Sequence, residues 1–164
     1  MLYLGFLLMA LGAAVAVYGY CDSLRKRERE YAAVFELLVY LKGAVATEKR
    51  TPADAVLRFR ESGGAGDIPW LLSLASADKI ASFMREGGLD RADSNMLGED
   101  KEAILAFFLS LGKRELDEER RSIEAIIDKI EKSREEIRLS TDGKIKTAWV
   151  LFATASAGAL LMML

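Results

Sequence analysis

The charged side chains of this chain are confined to one continuous stretch. Residues 1–21 carry none and residues 147–164 carry none, so every Lys, Arg, Asp and Glu lies between Asp22 and Lys146. A chain of 164 residues is about the length of one domain. One small soluble core could hardly bury two long uncharged helices around so charged a middle, because Lys, Arg, Asp and Glu are almost never fully buried. The partition therefore predicts two apolar terminal segments, 1–21 and 147–164, on either side of a charged domain, 22–146.

The first segment reads MLYLGFLLMALGAAVAVYGY from Met1 to Tyr20. As a helix it is long enough for the ~30 Å hydrocarbon core of a bilayer. It opens apolar at Met1, whereas a secretory signal peptide would have a basic start, so an uncleaved anchor is expected. Positive charge follows it in Arg25, Lys26, Arg27 and Arg29, which places that flank in the cytoplasm. The second segment reads TAWVLFATASAGALLMML from Thr147 to Leu164, about 27 Å as a helix, with Lys144 and Lys146 before it and Trp149 at the interfacial level. Both basic flanks then face one compartment, as two spans around a single domain require. Gly5, Gly12 and Gly19 recur every seven residues, and Ala153, Ala157 and Gly158 supply small residues on the other segment. These are the candidates for close packing of membrane helices.

Charge and residue usage restrict the function. The charged stretch holds 23 basic and 25 acidic residues, a net of −2, so it lacks the basic excess that nucleic acid demands. There is no histidine, which removes the commonest general base and metal ligand. Cys21 is the single cysteine and cannot form an internal disulfide. No phosphate-binding loop or nucleophile elbow is present. The acidic runs at Asp117–Glu119 and Glu135–Glu136 alternate with Lys113, Arg114, Arg120 and Arg121, the pattern of a solvated helix face. No catalytic residue, cofactor or metal ligand is therefore expected.

The middle reads as helical throughout, with no strand-like alternation. A first long helix is expected over Asp22–Lys49, where Leu24, Tyr31, Leu38 and Val45 fall seven apart beside Val34, Phe35 and Leu41. A second is expected over Glu99–Leu139, where Leu109, Leu116, Ile123, Ile130 and Ile137 fall seven apart. The half-repeat positions, Gly112, Glu119, Ile126 and Ser133, are weak for a strong zipper, so an antiparallel bundle accounts for the stripes as well as a coiled coil. Between them, Thr51-Pro52-Ala53-Asp54 starts a short helix that stops at Gly63-Gly64. Trp70, Leu71, Leu72 and Leu74 start another, and Ser76–Glu86 a third, ended by Gly87-Gly88. Gly112 inside the second long helix admits two readings: a close helix approach at a contact site, or a local break between two shorter helices.

The arrangement of these segments resembles the stage III sporulation protein AB family of endospore-forming bacteria. The resemblance rests on an N-terminal span with a basic cluster, Thr51-Pro52 with Ala55 in a short helix, Phe108-x-x-Leu111-Gly112 opening a charged helix, and a C-terminal span. Glu115 stands where that family usually has Asp, there is no Gln, and Ser140–Gly143 replaces a second Leu-Gly. The resemblance implies a membrane platform or adaptor in the mother cell–forespore channel complex, on the outer forespore membrane, with the central domain cytoplasmic. That domain would be similar to the cytoplasmic domains of type II secretion and type IV pilus platform proteins. Its implied partners are other sporulation channel proteins, including a cytoplasmic secretion-type ATPase, and it allows a homo-oligomer. Leu111, Gly112, Glu115 and Asp117 become the interaction candidates. The expected fold is all-α: a helical bundle with two long helices, flanked by N- and C-terminal transmembrane helices. A coiled-coil membrane spacer, or a signalling subunit unrelated to sporulation, is the alternative. The compact stretch Thr51–Gly98 argues against a spacer, which would not need it.

Overall fold

The computed structural model describes residues 2–47, 51–63, 68–72 and 94–161, with 82, 85–87 and 89 between them. The regular elements among these are all α-helices: α1 (Leu2–Thr47), α2 (Pro52–Glu61), α3 (Pro69–Leu72), α4 (Gly98–Ser110) and α5 (Leu116–Leu161). The all-α expectation holds. Among the described residues no helix is long and apolar enough to cross a membrane. The expected helix over Ser76–Glu86 lies mostly outside the described residues. Its end is within them: Glu86 N–H donates to Ser82 O at 3.0 Å, and Gly87 takes φ +76°.

The chain forms two compact units, one of residues 1–28 with 136–164, the other of residues 29–135. Both divisions fall inside helices, since α1 and α5 each run unbroken for 46 residues. In the first unit, Cys21, Leu24, Ile137 and Thr141 are buried. Towards the termini the covering thins to half-buried stripes, Ala10, Ala14 and Val17 on α1 and Ala148, Phe152 and Ser156 on α5. The packing candidates lie elsewhere. Gly5, Gly12, Gly19, Ala153, Ala157 and Gly158 are all exposed, and a Cβ on any of the four glycines would meet nothing within 4 Å. Small-residue spacing marks a common face without saying which face turns inward. Here the stripe continuous with Cys21 and Leu24 is the covered one.

The second unit holds the core. The seven-residue stripe of α1 is buried as expected at Tyr31, Leu38 and Val45, with Val34, Leu37 and Leu41 alongside. Helix α2 starts as its sequence dictates: Thr51 is the N-cap, its hydroxyl accepting from Asp54 N–H at 3.4 Å, and Gly63 at φ +86° closes the other end. It buries Ala55, Val56 and Phe59, and Phe59 lies against Tyr40 of α1 with ring centroids 5.5 Å apart. Trp70 of α3 is fully buried and meets Phe108 of α4 edge-on at 5.6 Å, and Phe108 meets Phe107 at 5.3 Å. Each such ring contributes roughly 1.5–3 kcal/mol by burial, plus about 0.5–1.5 kcal/mol from ring geometry. Ile123, Ile126, Ile127 and Ile130 bring α5 onto the same core.

The helix expected over Glu99–Leu139 is two helices, α4 and α5, and this corrects the reading of Gly112. Leu111 is extended at ψ 128° and Gly112 takes φ +76°, so the chain reverses there. Nothing lies within 4 Å of a Cβ built on Gly112, so the local break is the correct alternative. The seven-residue count fails at the same place. Leu116 is 66% exposed, because heptad phase survives only along an uninterrupted helix and the turn resets it.

Candidate functional site

The α4–α5 turn is an exposed and highly charged junction of the larger unit. Lys113, Arg114, Glu115, Leu116, Asp117 and Glu118 are consecutive exposed residues. The end of α4 is capped by a residue of the turn. Lys113 N–H donates to Ser110 O at 3.2 Å and its ammonium donates to Leu109 O at 2.6 Å, covering carbonyls at the negative end of α4. On the other side Glu119 N–H donates to Glu115 O at 2.8 Å, and Asp117, Glu118 and Glu119 load the first turn of α5 with acid, favourable at its positive end.

Glu119 locks the turn. Only 4% exposed, it reaches back so that its Oε1 accepts the Gly112 N–H at 3.1 Å. Its Oε2 is buried with no hydrogen-bond partner among the described residues. One side chain thus supplies an acceptor to the amide that the left-handed glycine turns inward. Along the sequence Glu119 stands at a weak half-repeat position of the α5 stripe. The signal it carried was its place seven residues after a turn glycine, in the first turn of the next helix.

Of the interaction candidates, the structure brings Leu111, Gly112, Glu115 and Asp117 together on this single turn. Leu111 is half-buried and the other three are exposed. Beside the turn, the small residues Ala103, Ala106, Ser122 and Ala125 leave an open groove of about 260 Å³, lined also by Phe107, with Arg114 at its edge. Fixed backbone, opposed charges and an exposed leucine make a surface suited to docking another protein: charges select the partner and orient it, and an apolar side chain supplies area.

Two buried carboxylates hold the helices that carry the turn, and sequence reading missed both. Asp100 is 3% exposed; its Oδ2 accepts from the Tyr31 hydroxyl at 2.5 Å and its Oδ1 from Ser133 Oγ at 3.2 Å. Asp100 thereby ties α4 to α1 and α5. The Tyr31 oxygen in turn accepts Leu97 N–H at 3.1 Å, next to the start of α4. Glu30 is 1% exposed and accepts from Ser94 Oγ and Asn95 N–H, both at 2.7 Å, fixing the segment that leads into α4. At the surface Lys42 pairs with Glu124 at 3.1 Å, and Arg134 lies 5.1 Å over the Phe35 ring. The Lys42 ammonium, with help from Arg120, holds the Glu124 carboxyl below its ordinary range.

No group of three or more Cys, Asp or Glu among the described residues is placed to hold a metal ion. The family model described as stage III sporulation protein AB matches residues 3–164 of the chain. The chain belongs to the stage III sporulation protein AB family. Its role is accordingly one in sporulation, and the resemblance drawn from segment order is established over essentially the whole length. No curated protein and no solved structure matches it.

Proposed function

We propose that this family member is a membrane platform or adaptor of the secretion-like channel complex between mother cell and forespore, acting by contact rather than catalysis. The α4–α5 turn docks a cytoplasmic secretion-type ATPase, and the smaller unit seats the protein in the outer forespore membrane. The observation that carries the docking reading is the turn itself: six consecutive exposed residues of both charges and one leucine, on a backbone fixed by Glu119.

The membrane reading is supported by the surface of the smaller unit. Leu8, Leu11, Val15 and Tyr18 on α1 are 59–68% exposed, and Val150, Leu151, Leu160 and Leu161 on α5 are 53–73% exposed. Apolar surface on that scale is normally covered by a partner or by lipid. The uncharged runs Met1–Tyr20 and Thr147–Leu164 also include residues outside those described. Taken whole, each has the length that a bilayer crossing needs. In this reading both ends cross, and the larger unit stays in the mother-cell cytoplasm with the basic flanks.

Crosslinking in sporulating cells followed by mass spectrometry tests this. The expected result is capture of a secretion-type ATPase through residues 111–118, lost in Leu116→Asp. Leu116 is exposed, so that variant should keep its fold within about 0.5 kcal/mol. Capture of copies of this chain alone, or undiminished ATPase capture by Leu116→Asp, would refute the docking assignment.

A further inference from the structure

The smaller unit contains an open groove of about 430 Å³ between α1 and α5, close to the last charged residues before the uncharged run begins. Its walls differ in chemistry. Leu139 and Leu151 form an apolar side and are 69% and 63% exposed. Lys144, Thr147, Tyr20, Ser140 and Ala148 line the rest, and Gly143 contributes no side chain. The Ser140 hydroxyl donates to Ile137 O at 3.0 Å. The Thr147 hydroxyl already donates to Gly143 O at 2.9 Å. The Lys144 ammonium and the Tyr20 phenol therefore remain the side-chain donors. An ammonium and a phenol beside an apolar wall match a phosphate ester attached to hydrocarbon.

Charge separation points the same way. The smaller unit carries six basic against four acidic side chains, a net of +2, while the larger unit carries 17 against 21, a net of −4. The basic excess gathers at the end of the uncharged runs, where an anionic headgroup layer attracts it. A second copy of the smaller unit would bring positive charge against positive charge. Free phosphate would leave Leu139 and Leu151 wet.

We propose that this groove binds the headgroup of an anionic phospholipid, with Lys144 and Tyr20 on the phosphate and an acyl chain along Leu139 and Leu151. The proposal rests on the membrane seating given above, and its test separates the two. The full chain is reconstituted into vesicles of phosphatidylcholine alone or mixed with phosphatidylglycerol. Flotation reports seating, and native mass spectrometry reports retained lipid. The expected result is flotation with both vesicles and preferential retention of phosphatidylglycerol. Lys144→Gln should lower that retention about fivefold, the weight of one lysine at an anionic surface, and Tyr20→Phe should lower it less, with flotation unchanged in both. Equal retention of the two lipids, or retention unchanged in Lys144→Gln, overturns the groove assignment while leaving seating intact. Displacement of the lipid by excess inorganic phosphate would make this a soluble-anion site and overturns the lipid assignment. Failure to float with either vesicle overturns the seating, and the groove proposal with it.

Discussion

Removing the Tyr31 hydroxyl tests whether the buried polar tie holds the larger unit together. Tyr31 is fully buried, donates to Asp100 Oδ2 at 2.5 Å and accepts Leu97 N–H at 3.1 Å. Tyr31→Phe keeps the ring and deletes both bonds. Losing a hydrogen bond to a charged group costs about 1.5–3 kcal/mol, and leaving the Leu97 amide without its acceptor adds about 1 kcal/mol, for a total near 2.5–4 kcal/mol. Asp100→Ala also removes the acceptor of Ser133 and should cost a similar amount or more. The two changes delete the same bond, so the double variant should be less damaged than the sum of the singles, with a coupling of about 1.5–3 kcal/mol. The assay is urea unfolding of the full chain in detergent, followed by circular dichroism. With a slope of about 2 kcal/mol per M, Tyr31→Phe should lower the midpoint by roughly 1–2 M. A loss under about 0.5 kcal/mol, or additive single variants, would refute the claim that this contact stabilises the bundle.

Three further outcomes are expected. Gly112→Ala should cost about 1–2 kcal/mol in the same unfolding assay, from the left-handed φ of +76° alone. Since the space around it is open, Gly112→Asn should cost less, and equal losses for the two would point to a clash instead. Glu119→Ala should loosen the turn, seen as faster amide exchange at Gly112 with α1 exchange unchanged; unaltered exchange at Gly112 would remove Glu119 from the role of lock. The lowered carboxyl of Glu124 makes folding pH-dependent with a defined sign. Its contribution is full above the ordinary carboxylate value of 4.5 and is lost as pH falls through the lower folded value. Lys42→Gln should therefore leave the protein less sensitive to acid in that window, and an unchanged acid profile would discount the pair.

The order of segments was legible because it is written in local chemistry. Thr51-Pro52 with Asp54 fixes a helix start from within four residues, and the structure has that start in place. The α1 stripe through Tyr31, Leu38 and Val45 was legible for the same reason: one unbroken helix preserves the phase of its repeat. The stripe through Leu109 and Leu116 was misread because the repeat count runs across a turn that only Gly112 announces. A glycine in a charged helical sequence has the same local appearance whether it bends, packs or breaks.

The sequence by itself determined the helical class, the caps, the turn glycines and the separation of charge, since these depend on neighbours along the chain. It also determined the family, whose model matches residues 3–164. Tertiary structure alone decided which polar groups went inside. Glu30, Asp100 and Glu119 are three acids among 25, and no local pattern distinguishes them from the solvated ones. They are buried because Ser94, Tyr31, Ser133 and the Gly112 amide arrive from 7 to 69 residues away with donors to meet them. A carboxylate can leave water only where such donors already converge. That convergence belongs to the packed bundle, and it fixes the turn between α4 and α5.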